Sequence, residues 1–213
     1  MLATVVAMVA ARSTSWRMGL APRAAARQRD AAVRLPPSAW AALLADPETV
    51  AAYYRNVCRR APGQDWPWLG PISGSGSARL RVPGHVGSRV IAAPVLGYQL
   101  SRGLLQPAPD GRLPVIRHTC DKSACANPGH WILGTKADNS ADYEARRHDP
   151  LSPLADLRGP AGRARAIRDA ILEAQSRGAS PEAVDHAIRR ATDAGIPGVQ
   201  DALIYGDQAA RES

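Results

Sequence analysis

The chain has 213 residues, 45 % of them apolar, enough for one ordinary domain with appendages or for two small ones. Aromatics make up 5 % and phenylalanine is absent, so Ala, Val, Leu and Ile must build the core around a few Trp and Tyr. Three cysteines exclude a disulfide-stapled mini-protein, and no apolar run approaches the ~20 residues that span a bilayer.

Lysine and arginine outnumber the acids 27 to 19, a net charge of +8. Lys122 and Lys136 are the only lysines, so nearly all the positive charge is arginine. The guanidinium fork suits phosphate, although a GC-rich genome produces the same bias. Residues 1–34 hold Arg12, Arg17, Arg23, Arg27 and Arg29 and no acid before Asp30. A secretory signal would carry its charge before the apolar stretch, and here it follows. The composition also resembles a transit peptide. The preferred reading is a mobile basic arm, or an extension upstream of a start at Met18.

From Pro36 the pattern is helical. Ser38 is the expected N-cap of a run through Trp40, Leu43, Leu44, Val50 and Tyr54 that Pro47 splits in two. A Pro/Gly/Trp-rich loop follows Cys58 as far as Gly76. Residues 77–82 alternate as a strand, with Arg79 and Arg81 on one face and Leu80 and Val82 on the other. Pro83-Gly84 and Gly87-Ser88 flank a turn, and Arg89 to Ala93 read as the returning strand. Pro94 opens a short helix that Gly103 stops.

A short strand from Leu113 ends at His118, a compact loop runs from Cys120 to His130, and Trp131 to Leu133 form a second strand. Thr135 with Asp138 reads as a capping box for a helix to about Arg147. Pro150 and Pro153 mark a linker. From about Ala161 an Ile167, Ile171 and Leu172 stripe ends at Gly178, and Ser180-Pro181-Glu182 opens another helix with Val184, Ala187, Ile188 and Ala191 on one face, stopped by Gly195 and Pro197. The expected organisation is a basic arm over 1–34, a main domain over 35–148, a linker over 149–160 and a helical segment over 161–213. That segment is either a helix-turn-helix reader or a hairpin that packs on the domain or mediates dimerisation.

Cys120, Cys125 and His130 are spaced five residues apart, and thiolates with an imidazole are what a tetrahedral zinc ion takes. Such a site needs a fourth ligand. Cys58 is the remaining cysteine, and His118 is its competitor. One intervening residue between His118 and Cys120 is cramped for a tetrahedral pair, so the sharper reading assigns Cys58 to zinc and leaves His118 metal-free as a general base.

The segment His118, Cys120, Cys125, Asn127, Pro128, His130, Gly134, Thr135, Asp138 and Asn139 resembles the His-Me finger (HNH) nucleases of the zinc-loop branch. That branch includes intron-encoded homing endonucleases and many phage and actinobacterial HNH proteins. Looser resemblance reaches back to Cys58. It implies an α+β fold: a small antiparallel sheet and a ββα-metal finger with a structural zinc loop, between the basic arm and the helical C-terminal segment.

The implied activity is metal-dependent hydrolysis of phosphodiester bonds in double-stranded DNA. His118 would deprotonate water, and Asn139 would hold Mg²⁺ at the scissile phosphate. A neutral His accepts a proton near pH 7, and a hard cation prefers oxygen ligands. Asp142, one turn further, could position Asn139 or a metal-bound water, or be a solvated surface residue. Relatives carry a His-Arg pair at the start of the helix before the finger, where this chain has Pro94-Val95. They also hold the phosphate with a sheet arginine, for which Arg79, Arg81 and Arg89 are candidates and Arg81 is favoured. Arg146 and Arg147 could contact DNA or favour their helix C-terminus. A cytoplasmic, bacterial or phage-encoded protein is expected, and the sequence leaves a homodimer open as one option. The alternative function is a zinc-loop DNA-binding protein without cleavage activity.

Overall fold

Paired prolines set the first helix of the computed structural model, which describes residues 35–82 and 89–196. The N-terminal arm and the turn expected at Pro83 to Ser88 lie outside the described residues, as do Pro197 and the residues after it. Helix α1 spans Pro37–Ala45 with Pro36 at the N-cap and no side-chain cap bond. Proline at the first helical position has no N–H to satisfy and a preset φ, so Ser38 falls inside the first turn instead of capping it. Helix α2 spans Pro47–Arg55, and Asp46 caps it by accepting from the Glu48 and Thr49 amides.

Strands β1 (Arg79–Val82) and β2 (Arg89–Ala92) pair antiparallel, with Leu80 opposite Ile91. The alternation holds, since Leu80 and Val82 are buried while Arg81 is exposed. Helix α3 (Ala93–Arg102) follows directly. A second antiparallel pair, β3 (Val115–His118) and β4 (Trp131–Gly134), places His118 opposite Trp131. Helix α4 (Lys136–Arg146) starts from the Thr135–Asp138 capping box. The described fold is therefore α+β, with two small antiparallel sheets.

With phenylalanine absent, Trp40, Tyr53 and Trp68 supply the bulk of the main core, packed with Leu80, Val82, Ile91 and Leu96. Gly97 lets α3 approach closely: a Cβ there would lie 2.0 Å from the Tyr53 hydroxyl and 2.6 Å from the Trp131 ring. The Trp68 amide donates to the Ala124 carbonyl at 3.1 Å, and the Ala126 amide donates to the Trp66 carbonyl at 2.8 Å. These bonds fix the loop after Cys58 beside the Cys120–His130 loop.

Helices α5 (Gly159–Ser176) and α6 (Pro181–Asp193) pack on the main domain. Ile167, Ile171 and Ile188 bury against Cys58, and Arg60 pairs with Asp185 at 2.8 Å. Arg165 donates to the Ile72 and Ser73 carbonyls at 3.3 and 3.2 Å. Gly76, at φ 86°, lies under Pro160, whose carbonyl carbon would be 2.9 Å from an added Cβ. Ile167, Ile171 and Ile188 of this hairpin are thus covered, whereas Leu172 stays exposed.

The Asp156 side chain is fully buried between Arg158 (2.7 Å) and Arg163 (3.2 Å), and Arg158 also donates to the Ala191 carbonyl. Burial pushes this carboxyl up, but hydrogen bonds and charge from Arg158 and Arg163 outweigh it and hold the pKa below its ordinary value. Its stabilising contribution is therefore present above the unfolded value of ~3.9 and lost as pH falls through the lower folded value. Asp156→Ala would leave Arg163 buried without its counter-charge. Urea denaturation at pH 7 is expected to show a loss of about 3–5 kcal/mol. An unchanged midpoint would remove the pair from the stability of the hairpin.

Candidate metal cluster and active cleft

Asp65, Cys120, Cys125 and His130 each bring one ligand atom to within 4.8 Å of all the others, and this group can hold a metal ion. The His130 Nδ1 lies 3.5 Å from Cys125 Sγ and 3.5 Å from Asp65 Oδ1. Its other ring nitrogen, Nε2, lies 3.2 Å from the Gly63 carbonyl, the outer partner that fixes which nitrogen faces a metal. The Asn127 side chain accepts from the Gly129 amide and donates to the Gln64 carbonyl, which ties the Asn-Pro-Gly-His turn to the loop carrying Asp65.

The Cys120 thiol hydrogen-bonds Cys125, which pushes Cys120 up and Cys125 down. Burial opposes the shift at Cys125, and the Asn127 and Trp66 amides reinforce it. Lys122 pairs with the outer oxygen of Asp65.

Cys58 does not belong to this group. Its amide donates to the Pro67 carbonyl at 3.0 Å, and its side chain buries against Ile167, Ile171 and Ile188. Burial pushes its thiol pKa up. The thiol sits there as a small apolar group, and Asp65 takes the fourth position expected for it. His118 is not among the four residues of the cluster either.

His118, Asn139 and Asp142 line one cleft of about 280 Å³, together with Asp121, Tyr143 and Ser77. The His118 Nε2 lies 3.2 Å from the Cys125 carbonyl, toward which Trp131 Nε1 also donates at 3.2 Å. Trp131 Nε1 also lies 3.1 Å from His118 Nε2, so this nitrogen sits between an acceptor and a donor, and either ring tautomer finds a partner there. Burial pulls the His118 pKa down to about 4, although the bond to Cys125 opposes it, so the ring is neutral at pH 7. Asn139 lies in the first turn of α4, where its side chain makes no hydrogen bond among the described residues.

The arginines separate. Arg79 and Arg81 follow Ser77, a cleft residue, on the same side of the alternating segment. Arg89 lies opposite Val82, so the register puts it on the other face from Arg79 and Arg81. Arg147 pairs with Glu144 at 2.6 Å on the exposed side of α4. Arg146 instead folds inward, 3.3 Å from Asp121 and 3.3 Å from Asp142.

Sequence reasoning passed over Asp65, Asp121 and Arg117. Asp65 has no spacing signal, because it comes from a loop far from its three partners. Asp121 is the one non-glycine residue with positive φ (55°) among the described residues, in the turn directly after Cys120. Arg117 reaches Asp142 at 2.6 Å. Among the described residues no helix is long and apolar enough to cross a membrane. Comparison with protein-family models, with curated proteins and with solved structures gives no match.

Proposed function

We propose that the protein is a metal-dependent endonuclease acting on double-stranded DNA, with a ββα-metal finger over Val115–Arg146. The observation that carries this reading is that His118 and Asn139 line one cleft, at the adjoining ends of β3 and α4. His118 accepts the proton of the attacking water, at Nδ1 in the tautomer that donates from Nε2 to the Cys125 carbonyl. The side-chain oxygen of Asn139 would hold Mg²⁺. A hard cation bound there stabilises charge on the scissile phosphate and the leaving oxygen. Arg79 and Arg81 lead away from the cleft along β1 and would follow the DNA backbone, with Arg81 favoured for the scissile phosphate. Arg89 and Arg147, both exposed, would meet flanking phosphates.

The ion in the four-residue cluster is zinc under this reading. Tetrahedral zinc bonds of ~2.0–2.3 Å place ligand atoms roughly 3.3–3.8 Å apart, and the two 3.5 Å separations at His130 fit that range. Two thiolates and a carboxylate around Zn²⁺ leave one negative charge, which Lys122 neutralises. All four positions are protein ligands, so this zinc is structural and the chemistry belongs to the separate cleft.

The test is supercoiled plasmid incubated with the zinc-loaded protein and Mg²⁺. Conversion to nicked or linear DNA that stops when Mg²⁺ is omitted is the expected result. Intact plasmid across a panel of sequences and divalent metals would overturn the reading.

A further inference from the structure

Helix α4 carries Asn139 but has no buried residue, so apolar burial does little to hold it in place. Its fastening is ionic. Arg117, the residue before His118, donates from Nε to Asp142 Oδ2 at 2.8 Å and approaches the same oxygen with its terminal nitrogen at 2.6 Å. Arg146, four residues after Asp142, lies 3.3 Å from Asp142 Oδ1 and 3.3 Å from Asp121 Oδ2. Its Nε also donates to the Asp142 carbonyl at 3.2 Å. Asp121, in turn, donates its amide to the His118 carbonyl at 3.2 Å. The two arginines therefore tie α4 to the chain on both sides of His118. Asp142 is the only member that touches both of them.

We propose that Asp142 is a positioning residue: through Arg117 and Arg146 it fixes α4, and with it Asn139, against the strand end that carries His118. The catalytic consequence rests on the nuclease reading, whereas the clamp itself does not. Arg146 has a structural task here and is not a peripheral DNA contact. Asparagine at position 142 would keep the shape and one acceptor oxygen but lose the charge that two guanidinium groups share.

The experiment compares wild type, Asp142→Asn and Glu144→Ala, all zinc-loaded, by amide hydrogen exchange and by plasmid cleavage across a Mg²⁺ titration. Glu144 is an exposed residue of the same helix outside the clamp and serves as the control. Asp142→Asn is expected to speed exchange along α4 roughly ten- to a hundredfold, with β1 and β2 unchanged. Its kcat is expected to fall about a hundredfold with KM nearly constant, as for misplaced catalytic groups. Glu144→Ala should match wild type in both measurements. Wild-type exchange in Asp142→Asn would overturn the clamp. Faster exchange with an unchanged kcat would overturn the positioning role. Full recovery of kcat at high Mg²⁺ would make Asp142 a direct metal ligand and overturn the proposal as well. If wild type cuts no DNA, the nuclease reading falls, and the exchange result still decides the clamp.

Discussion

Cys125→Ser is expected to release the bound metal and unfold the segment from Cys120 to Arg146. Cys125 is buried, it receives the Cys120 hydrogen bond, and its backbone bridges to Pro67. Its carbonyl also holds His118. Structural zinc supplies on the order of 10–16 kcal/mol of folding free energy, against a whole-domain stability of about 5–15 kcal/mol. Losing even half of the zinc contribution is enough to melt the finger. Elemental analysis should read one zinc per chain in wild type and close to none in Cys125→Ser. Circular dichroism should show the loss of helix and of the cooperative melt. Cys58→Ala is the contrasting variant. It should keep one zinc per chain and lose about 1 kcal/mol of stability, the cost of trimming a small buried group. Loss of zinc from Cys58→Ala, with retention in Asp65→Ala, would restore Cys58 as the fourth ligand.

That contrast marks where the sequence was legible. Cys120, Cys125 and His130 come from one short loop, so their regular spacing alone suggests a shared metal. The Thr135–Asp138 capping box predicted the start of α4, and both of its reciprocal bonds form. The alternation from Ser77 to Val82 predicted which side of β1 is buried. In each case the deciding interaction is local. The fourth member of the cluster is different. Cys58 and Asp65 both lie on the loop after α2, and long-range bonds such as the bridge between Pro67 and Cys125 and the one from Asn127 to the Gln64 carbonyl bring Asp65 to the cluster. Counting thiols favoured Cys58, but a thiol is also a good small core residue, and three isoleucine side chains claimed it. The partners of Arg146 were hidden for a related reason. Nothing within α4 announces that the turn after His118 presents Asp121 one layer away.

The cluster and the cleft are mechanically one unit. Cys125 gives its sulfur to the cluster and its carbonyl to His118 and Trp131. One residue thus joins the candidate metal cluster to the side chain of His118. The helical hairpin adds a second brace: Pro160 lines the cleft while resting on Gly76.

His118→Ala should leave this scaffold standing and remove the chemistry. Trp131 still donates to the Cys125 carbonyl, so no buried acceptor is orphaned, and the zinc content should stay at one per chain. Plasmid cleavage at saturating Mg²⁺ is expected to fall by about 10²–10⁴, the usual worth of a positioned general base. DNA affinity, read by gel shift in Ca²⁺, should remain close to wild type because His118 contributes no charge at neutral pH. Asn139→Ala should also lose cleavage, with the difference that part of the loss is recovered at high Mg²⁺, since its task is to hold the cation and not to move a proton. Cleavage by His118→Ala at the wild-type rate would mean that water is activated elsewhere in the cleft. Asp121, whose carboxyl is pushed up by burial against the pull of Arg146, would then be the next base to test.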